Sequence, residues 1–297
     1  MTTSLATLAA DISQIATAAA PAIVRVHARK GPPASGLVWR PGLIVTAEEA
    51  VEADEGIAVT LPDGTRVAAT FAGRDPSTDI ALLRCDAATA ALTAPINAIP
   101  AALGQLAVAL GRGRHGVLAN LAMVSSASGS WQSQQGGKID QYIGLDMRFD
   151  RHLEGGALLG ADGGLIGMIA AGPRHSHLAI PTATIERVAA QLESKGRVAR
   201  GYLGAGLQPV PIEASVGSTE KRSAIMVVSV DANGPAHAAG LLQGDIVLSW
   251  NGEPVGSVRE VFHRLAPETV GQSVDLSLIR AGQPAIARLT IGERPTT

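Results

Sequence analysis

At 297 residues the chain is long enough for two domains, each able to bury a core of its own. Net charge is −2, with acids and bases mixed along the chain, which excludes a basic stripe for nucleic acid and a polybasic membrane patch; neither partner is expected. One cysteine, Cys85, excludes an intramolecular disulfide, and no cofactor is expected.

The elements follow in chain order. Leu5, Leu8, Ile12 and Ile15 recur at helical spacing and predict a short amphipathic segment over residues 1–20 that docks on the first domain. The segment lacks a basic n-region, and Asp11 and Gln14 interrupt it before it could span a bilayer. As given, the chain is therefore expected in the cytoplasm, with the periplasm as the alternative if an export or anchor segment was removed. From about Ala22 to Ile180, short β-branched runs alternate with turn signals, a mainly β pattern: Ile23–Ala28, Leu37–Trp39, Leu43–Val45, Ile57–Leu61 and Ala107–Leu110. Pro62-Asp63-Gly64 and Ala161-Asp162-Gly163-Gly164 read as hairpin turns. Ser125, Ser126, Ser128, Ser130 and Ser133 with Gly129 read as a flexible polar loop, and His175 and His177 as exposed loop residues whose H-x-H spacing also allows a metal. A helix is expected through Ile185, Val188, Ala189 and Leu192, with a threonine as N-cap and Lys195-Gly196 as its end.

Beyond a boundary near residue 198, Asn233-Gly234-Pro235-Ala236-His237-Ala238-Ala239-Gly240-Leu241-Leu242-Gln243-Gly244-Asp245-Ile246 resembles the PDZ signature G-S-P-A-x-x-A-G-L-x-x-G-D-V. Asn251-Gly252 is a hairpin turn, and Ser257 caps a helix carrying Val258, Val261, Phe262 and Leu265 on one face. Upstream, Ile44-Val45-Thr46-Ala47-Glu48-Glu49-Ala50-Val51 resembles the histidine motif I-V-T-N-N-H-V-V of the Deg/HtrA serine proteases. Asp75-Pro76-Ser77-Thr78-Asp79-Ile80-Ala81-Leu82-Leu83 resembles their aspartate motif, and His152-Leu153-Glu154-Gly155-Gly156-Ala157-Leu158 stands where they have G-N-S-G-G-P-L.

The resemblance implies a trypsin-like domain of two six-stranded β-barrels over residues 21–198, followed by an α+β PDZ domain over 199–293. It also implies that the triad is degenerate, with Glu49 on the histidine, Asp79 retained and Glu154 on the nucleophile. The triad needs a hydroxyl to attack and an imidazole to take its proton; neither residue type remains at those positions. His152 in the oxyanion loop replaces a glycine, and an anionic Glu154 would repel the oxyanion. The chain is thus expected to be a catalytically inactive homologue, a pseudoprotease. The alternative is an active hydrolase with a displaced nucleophile, or with a metal held by Glu49, Asp79, Glu154 and His152; three carboxylates in one cleft cannot all ionise cheaply.

A PDZ domain adds a peptide as a strand at a sheet edge and holds its carboxylate on backbone amides. The resemblance assigns the carboxylate loop to Tyr202, Leu203, Gly204 and Ala205, and the groove walls to Leu203, Ala205 and Leu207 on the strand and Val261, Phe262 and Leu265 on the helix. The expected partners are peptides or protein C-termini with an apolar last residue. The family resemblance also implies a homo-oligomer, a trimer, and an active Deg/HtrA relative as a partner.

Overall fold

The structure, a computed structural model, describes residues 5–87, 100–133, 135–148, 150–212 and 222–295. The chain divides into two compact units: the main division falls between Val198 and Ala199, and the short segment Gln134–Gly137 is counted with the second unit. Residues 1–4 of the expected N-terminal segment lie outside the described residues. The rest forms α1 (Leu5–Ala19), whose Ile12, Ile15 and Ala16 pack on the core of the first unit while Leu5 stays exposed.

The first unit opens with seven antiparallel strands: β1 (Ile23–His27), β2 (Ala34–Arg40), β3 (Leu43–Thr46), β4 (Ala58–Thr60), β5 (Arg66–Ala68), β6 (Thr70–Asp75) and β7 (Ile80–Arg84). They pair in the order β5-β4-β1-β2-β3-β7-β6. The first half is thus the expected antiparallel β half of the domain, with seven strands in place of six. Alternation drives it: Val24 and Val26 of β1 point into the core, and Arg25 and His27 point the other way.

The second half contains β8 (Leu106–Gly113), β9 (Gly116–Ser128), a small hairpin of β10 (Trp131–Gln132) with β11 (Lys138–Ile139), β12 (Tyr142–Asp146), β13 (Ala157–Gly160), β14 (Leu165–Ala171) and β15 (His177–Pro181). Six of these close into a barrel in the order β12-β15-β14-β13-β8-β9, filled by Ala109, Val124, Ile143, Leu158, Ile169 and their neighbours. Here the serine loop needs correction. Ser125, Ser126 and Ser128 belong to β9, where Ala122 and Val124 face the barrel and Ser125 faces water.

Helix α2 (Thr182–Lys195) packs Ile185, Val188, Ala189 and Leu192 on strand residues of both halves. It ends as expected at Gly196, whose φ of 69° carries its N–H back to Leu192. The expected threonine cap is absent: Pro181 holds the N-cap position, and Thr184 Oγ1 accepts from the Asp140 amide and donates to the Asp140 carboxylate instead.

The second unit is built on a five-strand path in which Ala205–Ile212 forms one edge and, among the described residues, pairs only with Arg222–Val230. Asn251 and Gly252, both with positive φ, make the expected two-residue hairpin between Trp250 and Glu253. Ser257 caps the helix Val258–His263 by accepting the Glu260 amide, and the Glu260 carboxylate accepts the Gly256 amide in return. That helix packs beside the edge strand. A buried carboxylate closes the unit: Asp245 takes a bidentate bond from Arg280, at 2.8 and 2.7 Å, and accepts the Leu242 amide.

Candidate functional site

Asp79 ends the turn between β6 and β7. Asp75 builds that turn by accepting from the Ser77 hydroxyl at 2.7 Å and the Thr78 hydroxyl at 2.8 Å. At the end of it Asp79 adopts a left-handed conformation, φ 55°. Its Oδ1 accepts the Glu49 amide at 3.2 Å, and its carbonyl accepts the Glu48 amide at 3.3 Å. The retained aspartate thus still holds the segment where the histidine motif lies, through that segment's backbone. Burial pushes the Asp79 carboxyl up to about 7, and the nearby charges of Glu49 and Glu48 add to the rise against the Glu49 amide bond.

The two glutamates of the motif part company. Glu49, which the motif resemblance sets on the histidine position, is exposed. Glu48 accepts from Arg74 at 3.1 Å, and Arg74 also bonds the Val51 carbonyl and lies over the Phe71 ring.

Glu154, which the motif resemblance sets on the nucleophile position, turns inward. Its side chain is 7% exposed and faces Arg29, itself 10% exposed, at 3.8 Å. Arg29 reaches in from the β1–β2 connection, where its Nε donates to the Pro32 carbonyl. Burial raises the Glu154 carboxyl, Arg29 and Arg151 pull it down, and Glu49 and Asp150 push it up. Glu49 therefore lies within electrostatic reach of both Asp79 and Glu154.

The loop before Glu154 satisfies its own amides. Residues Arg151–Leu153 form a 3-10 turn capped by Asp150, whose carboxylate accepts the His152 amide at 2.9 Å and contacts the His152 ring at 2.9 Å. The Glu154 amide donates to the Arg151 carbonyl at 3.4 Å. These are the two amides that the family resemblance assigns to an oxyanion hole, and both are turned to internal acceptors. Gly155 keeps its identity for steric reasons: φ is 79°, and a Cβ there would lie 2.2 Å from the Ser35 carbonyl.

Among the described residues, no group of three or more His, Cys, Asp or Glu side chains could hold a metal ion. The alternative set of Glu49, Asp79, Glu154 and His152 is not gathered as ligands, because Glu49 turns to solvent and Glu154 to Arg29. The H-x-H pair also needs correction. His175 is exposed, but His177 is buried on β15, where its Nε2 accepts the Asp150 amide at 3.1 Å. Burial lowers its pKa, as an accepting, neutral ring requires. Ser35 offers no displaced nucleophile. It is fully buried, donates to the His152 carbonyl and accepts the Arg112 amide at 2.7 Å.

In the second unit, the Leu203 and Gly204 amides donate to no protein acceptor among the described residues, and Gly204 has φ 70°. The pair opens onto the start of the edge strand Ala205–Ile212 and suits an anion. Tyr202 braces this loop rather than lining it: its hydroxyl donates to Asp231, whose amide holds the Gly204 carbonyl at 2.8 Å. Leu203, Val261 and Leu265, expected as groove walls, are buried in the domain core. Ala205 and Leu207 are half-buried on the strand side, while Val258 (not singled out as a ligand contact) and the exposed Phe262 stand on the helix side. The signal for Val258 was present: it shares the helical face with Val261, Phe262 and Leu265.

Fold and site together define a trypsin-like domain followed by a PDZ domain. Residues 34–168 match the family described as Trypsin-like peptidase domain, and residues 201–291 match PDZ domain. A protein named "Probable periplasmic serine endoprotease DegP-like" from Chlamydia trachomatis is 32% identical over 268 residues, covering 88% of this chain and 54% of the relative. One of the same name from Brucella suis is 31% identical over 282 residues, covering 91% and 54%. Among solved structures, the serine endoprotease from Yersinia pestis is 29% identical with a TM-score of 0.74, covering 99% of this chain and 100% of that one. The HtrA-type protease AlgW with tripeptide is 26% identical with a TM-score of 0.70, covering 96% and 98%. The chain belongs to the Deg/HtrA serine protease family. It spans about half the length of the curated relatives it matches.

Proposed function

We propose that this chain is a non-proteolytic Deg/HtrA protein that binds peptides or protein C-termini through its PDZ domain and serves as an adaptor, a chaperone-like holder or a regulator. One observation carries the reading. The residue on the nucleophile position is a buried carboxylate facing an arginine, a structural pair where the family's chemistry needs a free hydroxyl. The two engaged amides beside it add support, since an oxyanion needs donors that are free to receive it. No observation favours a displaced nucleophile or a metal-dependent hydrolase.

Peptide binding draws on the free Leu203 and Gly204 amides, on the open edge of Ala205–Ile212 and on the relative solved with a tripeptide. An apolar last residue fits a site flanked by Ala205, Leu207, Val258 and Phe262. Self-assembly and pairing with an active relative are part of the proposal, as is location. No helix among the described residues is long and apolar enough to cross a membrane, and the relatives' names favour the periplasmic alternative over the cytoplasmic one.

The test is binding of labelled peptides to the full chain by fluorescence anisotropy. Peptides ending in Val, Leu, Ile or Phe are expected to bind. Amidation of their C-terminus is expected to abolish binding, and Gly204→Val to weaken it at least about tenfold, since a Cβ there meets the Gly234 Cα at 2.8 Å. Equal binding of free and amidated peptides would contradict the reading.

A further inference from the structure

The edge strand that is to receive the peptide contains two prolines, Pro209 and Pro211, both exposed. They pair in register with Ile225 and Ser223 of the neighbouring strand. A proline has no N–H, so in an antiparallel ladder it can occupy only the position whose nitrogen faces away from the partner strand. The nitrogens of Pro209 and Pro211 therefore face the open edge, because Ala205–Ile212 is the terminal strand of its sheet. Backbone direction alternates along a strand, so Ala205 and Leu207 present their amides and carbonyls to the same edge. The register irregularity in this pair leaves that alternation intact, since the extra residue, Val228, lies on the partner strand.

The open edge is thus split. Next to the free Leu203 and Gly204 amides, Ala205 and Leu207 offer both a donor and an acceptor to a ligand strand. Past them, Pro209 and Pro211 offer carbonyls only, and each ring carbon stands where a hydrogen would meet a ligand carbonyl.

We propose that Pro209 and Pro211 end the β-ladder available to a bound peptide, so that the groove reads only the last four or so residues of its ligand through the backbone. This rests on the peptide-binding reading above and narrows its ligand to short C-terminal tails. Residues further upstream gain no paired backbone bonds, and internal extended segments, which lack the carboxylate anchor, are poor ligands. The same two rings blunt an edge that would otherwise invite strand-to-strand association.

The test uses the full chain and labelled peptide pools of four, six and eight residues, each ending in Val, Leu, Ile or Phe. For the natural sequence, affinity is expected to level off at four residues, with the eight-residue pool within about threefold. In the double variant Pro209→Val and Pro211→Thr, the restored donors are expected to tighten the eight-residue pool about fivefold or more over the four-residue pool. An affinity that climbs tenfold from four to eight residues in the natural sequence would overturn the inference while leaving peptide binding intact. So would a folded double variant with no length dependence. Failure of every pool to bind would instead remove the peptide-binding reading, and this inference with it.

Discussion

Glu154 faces Arg29 at 3.8 Å, with both side chains nine-tenths or more buried. Glu154 follows the 3-10 turn of the second half, while Arg29 comes from the β1–β2 connection of the first, so the pair ties the two halves of the first unit together. Arg29 Nη2 is buried and has no hydrogen-bond partner among the described residues, so Glu154 is the charge that compensates this guanidinium there. Removing either partner strands the other in a low-dielectric place. Arg29→Ala and Glu154→Ala are each expected to lower stability by about 1–3 kcal/mol, and the double variant by less than the sum of the two. Urea unfolding of the four proteins measures the coupling; additive losses would mean that the pair does not interact.

Restoring the missing residue types is not enough to restore catalysis on this account. In the double variant Glu49→His and Glu154→Ser, the His152 amide still donates to Asp150 and the residue 154 amide still faces the Arg151 carbonyl. Release of peptides from unfolded casein is expected to stay at background. Adding Asp150→Ala removes the acceptor that holds the His152 amide and is expected to be required for any gain. Strong activity in the double variant alone would show that the loop reorganises freely.

Asp79 sets a pH signature. Its carboxyl is pushed up to about 7 in the folded protein, against about 3.9 in an unfolded chain. Between those values the folded state holds the extra proton, so the Asp79 contribution to stability falls as pH rises from about 4 to 7 and is flat above that. Asp79→Asn keeps an acceptor for the Glu49 amide and suits the left-handed backbone, while deleting the titration. The variant is expected to gain on the natural protein as pH rises, by about 1–2 kcal/mol at pH 8. Thermal melts of both proteins from pH 4 to 8 check this; a constant gap would count against it.

The Asp245–Arg280 pair works in the opposite sense. The Arg280 bonds hold the Asp245 carboxyl below the usual range, with burial opposing them, so its stabilisation is present above the unfolded pKa of about 3.9 and fades as pH falls through the folded one. Asp245→Asn replaces the buried charge and its bidentate bond and is expected to cost about 2–3 kcal/mol at pH 7, and less in acid. Guanidinium unfolding at pH 7 and pH 3 separates the two conditions.

Much of this was readable from the residues. Alternating apolar positions marked most strands, and Asn251-Gly252 and Ser257 marked their turn and cap by local chemistry alone. The glutamates at positions 49 and 154 were visible because the motifs around them are contiguous. What escaped depends on contacts between distant segments. Nothing local in Lys30-Gly31-Pro32-Pro33 says that the preceding Arg29 will turn inward to Glu154. Asp150, two residues ahead of His152, carries a legible cap signal of its own. His177 alternates with Ala179 and Pro181, all buried, so its burial was legible from the strand period once the strand was extended by one alternation. The β9 serines read locally as a loop because an outward strand face in water can be wholly polar.

Incubation of the purified chain with unfolded casein, alone, with divalent metals and with chelator, followed by mass spectrometry of the products, decides whether the chain cleaves peptide bonds. No cleavage is expected under any of these conditions, and the same blank result is expected for Glu154→Ala. Peptide products that appear with the natural chain and vanish with Asp79→Asn or Glu154→Ala would show that the cleft still catalyses and would contradict the non-proteolytic reading.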